Sequence, residues 1–131
     1  MIGLDTNVLV RHITQDDPVQ SPRATALIEN QLTEDEPGFI SVVALAETVW
    51  VLGRAYRYSD VEIAAVIERV LQTRTFIVEN EIEFFFAMTA LKQRRATFTD
   101  ALIGTLGARA GCSATLTFDR KAARLPGFAP A

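Results

Sequence analysis

The sequence predicts an α/β fold in which a parallel sheet carries helices on both faces. Three observations predict it. Short stretches rich in apolar, β-branched and aromatic residues alternate with longer stretches of helical periodicity along the whole chain. Proline, glycine and polar clusters punctuate the joins between them. The 131 residues suit one domain spanning 1–131, and 49% of them are apolar, enough to build a core.

The elements follow in order. Met1 to Leu4 reads as a short apolar strand ended by Asp5, with a helical stretch from Asn7 to Ile13. Pro18 starts a second helix through about Leu32, with Ala24, Leu27, Ile28 and Leu32 on one face. Pro37 and Gly38 break the acidic run that begins at Glu34, so it reads as a turn. Phe39 and Ile40 form a brief strand, and Ser41 caps a strongly apolar helix to about Tyr56. Ser59 and Glu62 have capping-box spacing and open a helix whose Ile63, Val66, Ile67 and Val70 recur on one face. Thr75 to Val78 is a third strand. Glu81 to Arg95 is a helix with Phe84, Phe85, Met88 and Leu91 as its apolar stripe and basic residues at its negative end. Thr99 or Asp100 caps a helix to about Ala110, stopped by Gly111. Ser113 to Thr117 is a fourth strand, and Asp119 opens a short basic helix that Pro126 ends.

Composition narrows the function classes. The single cysteine, Cys112, excludes an internal disulfide and reads as a small buried hydrophobe. No apolar run approaches the roughly 18 residues of a membrane helix, and Asp5 interrupts the first residues too early for a signal peptide, so the expected location is the cytoplasm. The net charge of −3 is unevenly spread: residues 1–91 carry −8 and residues 92–131 carry +5. A basic rim can meet a polyanion, and ordinary solvated helix faces explain the split equally well. An acidic chain gains little from diffuse phosphate attraction, so any nucleic-acid contact should be local.

Four acids stand out: Asp5, Glu47, Asp100 and Asp119. Ligands of parallel α/β sheets sit beyond the carboxyl ends of the strands, where strand order reverses, and Asp5 and Asp119 fall just after predicted strands. Each has a plain alternative. Asp5 can simply cap the next helix, worth about 1 kcal/mol, although Asn7 lies close enough to orient it by a hydrogen bond. Asp100 can cap as well, as can its neighbour Thr99. Asp119 can cap, or pair with Arg120 or Lys121. Glu47 is the most informative, because its helical neighbours Val43, Ala44, Trp50 and Val51 offer no polar face. A buried carboxylate needs a cation, a donor or a proton. Arg11 or Arg54 would supply a structural partner, and a metal-facing or water-bridged role is favoured over that. Thr6 and Thr117 can each donate a supporting hydrogen bond, although threonine beside a strand end is commonplace. His12, the only histidine, gives little support to histidine-based catalysis; Ser41 reads as a cap, and Trp50, Phe84 and Phe85 as core.

The order of these motifs resembles a known family. Asp-Thr-Asn-Val-Leu at 5–9 resembles the opening of PIN-domain nucleases. Ile40-Ser41 with Leu45-Ala46-Glu47 and Val51-Leu52 resembles their second motif, Asp100-Ala101-Leu102-Ile103 the third, and Thr115 to Asp119 the fourth. Length, the early first acid and the Arg-Leu-Pro-Gly-Phe ending at 124–128 are similar to VapC-type toxins of bacterial toxin–antitoxin pairs. The resemblance implies a three-layer α/β/α sandwich around a central, mostly parallel sheet of four to five strands. It implies that Asp5, Glu47, Asp100 and Asp119 hold Mg²⁺ or Mn²⁺ for hydrolysis of RNA, often structured RNA such as tRNA. Asn7, Thr6 and Thr117 would support them. An antitoxin partner and a homodimer are implied as well.

Oxygen-only ligands suit a hard cation. Two other readings stay open: another metal-dependent phosphoryl hydrolase, and a non-catalytic α/β module that binds a partner. Against an aspartyl-phosphate phosphatase, position 7 is Asn where a second acid would be needed.

Overall fold

The alternation of strands and helices is realised throughout residues 1–131, all of which the computed structural model describes. Two units divide the chain, Met1–Asn80 and Glu81–Ala131.

The first unit is built on three parallel strands in the order β1 (Ile2–Gly3), β2 (Gly38–Ile40), β3 (Phe76–Val78). Ile2 lies opposite Gly38, and Gly38 opposite Phe76. The crossovers are α1 (Thr6–Thr14) and α2 (Gln20–Ala26) before β2, then α3 (Val42–Ala55) and α4 (Asp60–Gln72) before β3. Leu9, Ile40, Leu45, Leu52 and Ile67 form the fully buried centre of this unit. The strand order has no reversal here, so the acids of this unit sit at plain carboxyl ends.

Local chemistry sets most of the boundaries. Ser41 Oγ accepts from the Ala44 amide and starts α3. Ser59 and Glu62 form both bonds of the capping box at α4. The helix expected from Pro18 begins at Gln20 instead, because the Asp17 carboxylate accepts from the Val19 and Gln20 amides and fixes the entry there. Its last residues, Leu27–Gln31, widen into a π-helical turn closed by the Leu32 amide on the Leu27 carbonyl at 3.1 Å.

The second unit contains α5 (Glu81–Lys92), α6 (Phe98–Arg109), β4 (Thr115–Thr117) and β5 (Phe128–Pro130), the two strands pairing in parallel. The sequence signals no strand at 128–130, where Pro130 ends β5. The strands therefore number five, within the expected range, but they pair as three and two rather than as one continuous ladder. Phe84 is fully buried and stacks on Phe98 at 5.8 Å between centroids. Phe98 decides where α6 starts. As its first residue it must point inward, so the cap is Thr97, whose Oγ1 accepts from the Asp100 amide, and not Thr99 or Asp100. Gly104 lets α6 approach β5 closely, since a Cβ there would stand 2.5 Å from the Phe128 ring.

Several expected core residues are on the surface. Trp50 is 61% exposed, with Arg54 6.0 Å above its ring, and Phe85 is 52% exposed while Ala87 takes the inward place on α5. Cys112 is an exposed free thiol. An apolar residue on a helix surface leaves the same mark in a sequence as one in the core. No helix is long and apolar enough to cross a membrane.

Candidate metal centre

Parallel pairing brings the carboxyl ends of β1, β2 and β3 to one edge of the first unit's sheet. Asp5, Ser41 and Glu79 follow those three strands. Asp5 caps α1: its Oδ1 accepts from the Thr6 amide at 2.8 Å, in extended backbone geometry. Thr6 then turns inward, only 8% exposed, and its hydroxyl donates to Glu47 Oε2 at 3.0 Å. One residue thus holds two carboxylates that stand 42 positions apart in the chain. Each keeps its other oxygen free of any protein donor, which leaves it available to a ligand.

Glu47 is exposed, contrary to the expectation of burial. The outer face of α3 carries Val43, Glu47 and Trp50 together, so two of the four apolar neighbours that suggested burial are themselves in solvent, while Ala44 turns inward. Neither candidate arginine takes it. Arg11 is engaged by Asp16, Tyr56 and Gln20, and Arg54 lies over Trp50. The partner is the neutral hydroxyl of Thr6, which leaves the negative charge uncancelled. Asn7 makes no hydrogen bond to Asp5. It is exposed on the next step of α1 and lines a groove instead, so Thr6 does the orienting expected of Asn7.

Glu79 was not singled out from the sequence. Its Oε1 accepts from the Val42 amide at 2.9 Å and joins the end of β3 to the start of α3. Only its place directly after a strand hinted at this. As a helix N-terminus partner, it adds a third acid to that sheet edge.

In the second unit, Asp100 lies in the first turn of α6, half-buried, with its amide bonded to the cap Thr97. Asp119 sits two residues beyond β4. Its Oδ1 accepts from the amides of Lys121 and Ala122 at 2.8 and 2.9 Å, while its own amide donates to Thr117 Oγ1 at 3.0 Å. Thr117 therefore accepts a bond from the Asp119 backbone rather than donating to its carboxylate. Neither Asp100 nor Asp119 pairs with a cation, and Asp119 keeps Oδ2 open. Within neither unit do three or more His, Cys, Asp or Glu side chains gather in an arrangement that would hold a metal.

The PIN domain pattern matches residues 2–127, nearly the full chain. The chain belongs to the PIN domain family. PIN domains are in general metal-dependent nucleases, typically using divalent ions, and the parallel α/β pairing found here agrees with the three-layer α/β/α sandwich of the PIN fold. No curated protein matches the chain. The donor set of this PIN domain fits a hard divalent cation in kind: the acids offer oxygen only. Mg²⁺ commonly takes one or two carboxylates and keeps several waters. Asp5 and Glu47, held by Thr6 with an oxygen free on each, suit that mode of binding.

Proposed function

We propose that this PIN domain is a Mg²⁺- or Mn²⁺-dependent endoribonuclease, and that it is the toxin of a type II toxin–antitoxin pair of the VapC type. Membership of a nuclease family supports the reaction class, and one structural observation carries the assignment of the site. Two carboxylates, Asp5 and Glu47, are secured by a neutral hydroxyl and an amide while their charge stays uncancelled. A structural role would be expected to pair such acids with a cation, and neither forms a salt bridge. Acids left anionic and oriented are what a cation site requires.

In this reading Asp5, Asp100 and Asp119 would hold the ion directly, and Glu47 would do so directly or through a water. A bound divalent cation lowers the pKa of a water and offsets charge developing on the phosphate. The chain's own contribution is orientation. Thr6 fixes the bearing of Asp5 and Glu47, and the Lys121 and Ala122 amides fix Asp119. The substrate is RNA, with structured RNA such as tRNA a reasonable first trial. A cognate antitoxin, a homodimer and a cytoplasmic location belong to the same proposal.

The test is cleavage of RNA by the protein freed of any co-purifying partner. We expect Mg²⁺ or Mn²⁺ to support cleavage, chelation to stop it, and Asp5→Asn to abolish it while the fold persists. Cleavage that survives both chelation and Asp5→Asn would remove the basis of the assignment.

A further inference from the structure

We infer that the groove between α1 and α2 seats the phosphate backbone of the RNA strand beside the cut, with Arg23 as its free cation. This rests on the ribonuclease reading above and adds to it a place for the substrate.

The groove measures about 240 Å³ and begins at Asn7, in the helical turn that Asp5 caps. Asn7 and Arg11 stand four residues apart, on one face of α1, and Gln20 and Arg23 three apart on α2. A row of donors on each helix thus faces one channel, over an apolar floor that includes Val8 and Leu27. From Asp5 to Arg11 the helix rises about 9 Å, the length of between two and three stacked nucleotides.

The two arginines differ in what they offer. Arg11 is locked: Nε donates to Gln20 at 2.9 Å, and one terminal nitrogen donates to Asp16 and to the Tyr56 hydroxyl, each at 3.1 Å. Asp16 cancels its charge, so Arg11 contributes an oriented donor through its remaining nitrogen. Arg23 is exposed and has no acid or hydrogen-bond partner in the protein. Residues 1–80 hold twelve acids and six arginines. Diffuse attraction for a polyanion is therefore weak in this unit, and a phosphate must be gripped by local donors. Guanidinium groups match phosphate geometry with paired bonds.

The experiment measures steady-state cleavage of a short fluorescent single-stranded RNA in Mn²⁺ over a range of salt. It compares the wild type with Arg23→Gln and Arg74→Gln; the latter removes another exposed arginine, outside the groove. For Arg23→Gln we expect KM to rise about three- to tenfold with kcat unchanged, and the log–log salt slope to fall by about 0.7, the value for one lost phosphate contact on a single strand. Its melting temperature should not move, because Arg23 has no partner to lose. Arg74→Gln should match the wild type. Wild-type KM in Arg23→Gln, an equal effect of Arg74→Gln, or a loss confined to kcat each overturns the groove. Absence of cleavage by the wild type overturns the ribonuclease reading itself, and the groove with it.

Discussion

Replacing Thr6 by valine isolates the link between Asp5 and Glu47. Valine keeps the branched shape at a position that is 8% exposed, so packing is conserved and only the hydroxyl disappears. That hydroxyl also approaches the Ala44 carbonyl at 3.5 Å, but Ala44 keeps Thr48 as a 2.7 Å partner, so the loss falls on Glu47. A hydrogen bond to a charged group contributes about 1.5–3 kcal/mol. Glu47 is exposed and water will replace much of the bond, which reduces the expected cost to about 0.5–1.5 kcal/mol. In a chain of this size that is a fall of roughly 2–6 °C in Tm. Function should suffer more than stability, because Glu47 loses its bearing. Loss of such supporting bonds typically costs about 10–100-fold in metal affinity or activity. Thermal denaturation with and without Mn²⁺, and RNA cleavage beside Thr6→Ser, read both effects. Thr6→Ser should retain most of each. Wild-type melting and cleavage in Thr6→Val would refute the claim that this hydroxyl organises the pair.

Two further predictions concern charge in each unit. Glu83 is buried at 4% exposure with one oxygen on Arg109 at 3.0 Å and the other unpartnered. Arg109→Ala should therefore cost about 1–3 kcal/mol in urea denaturation, the lower range because Arg109 itself is largely exposed, and adding Glu83→Gln should recover part of it; a cost under about 0.5 kcal/mol for Arg109→Ala would refute the pairing. In the first unit, hydroxyl bonds from Tyr56 and Thr14 hold the Asp16 carboxyl below the usual carboxylate range against some desolvation, with Arg11 assisting. A carboxyl depressed in the folded state stabilises above its unfolded value and loses that contribution as pH falls through the folded one. The Tm of the wild type should thus drop more steeply below about pH 4 than that of Asp16→Asn, and parallel curves would refute it.

What the sequence disclosed was mostly local. The Ser59–Glu62 box and the Ser41 cap are written within four residues, and the inward face of α4 repeats at helical spacing. What it concealed depends on partners far along the chain. Glu79 acquires its role only where β3 meets the start of α3, 37 residues away. Glu47 looked buried because Val43 and Trp50 flank it, yet all three share an outward face. Thr99 and Asp100 read as the caps on paper, and only the inward turn of Phe98 moves the cap back to Thr97. The strand at 128–130 is disguised by Pro130, which sits at its end where the missing N–H does least harm. Of the four acids, the pair Asp5 and Glu47 is tied through Thr6, a residue the sequence marked as a hydrogen-bond donor without naming its acceptor.

The passage from β4 to β5 is unusually brief. Parallel neighbours ordinarily need a dozen or more residues to turn back beside one another, and here ten suffice, positions 118–127. The passage coils through a 3-10 turn at Ala122–Arg124, and Gly127, at φ +82°, takes the final bend that a side chain would resist. Asp119 rides on this segment, its carboxylate tied to the Lys121 and Ala122 amides that lead into the turn. The aspartate is thus held by the bend it helps to make, and its bearing is set within three residues on either side rather than by a distant part of the chain.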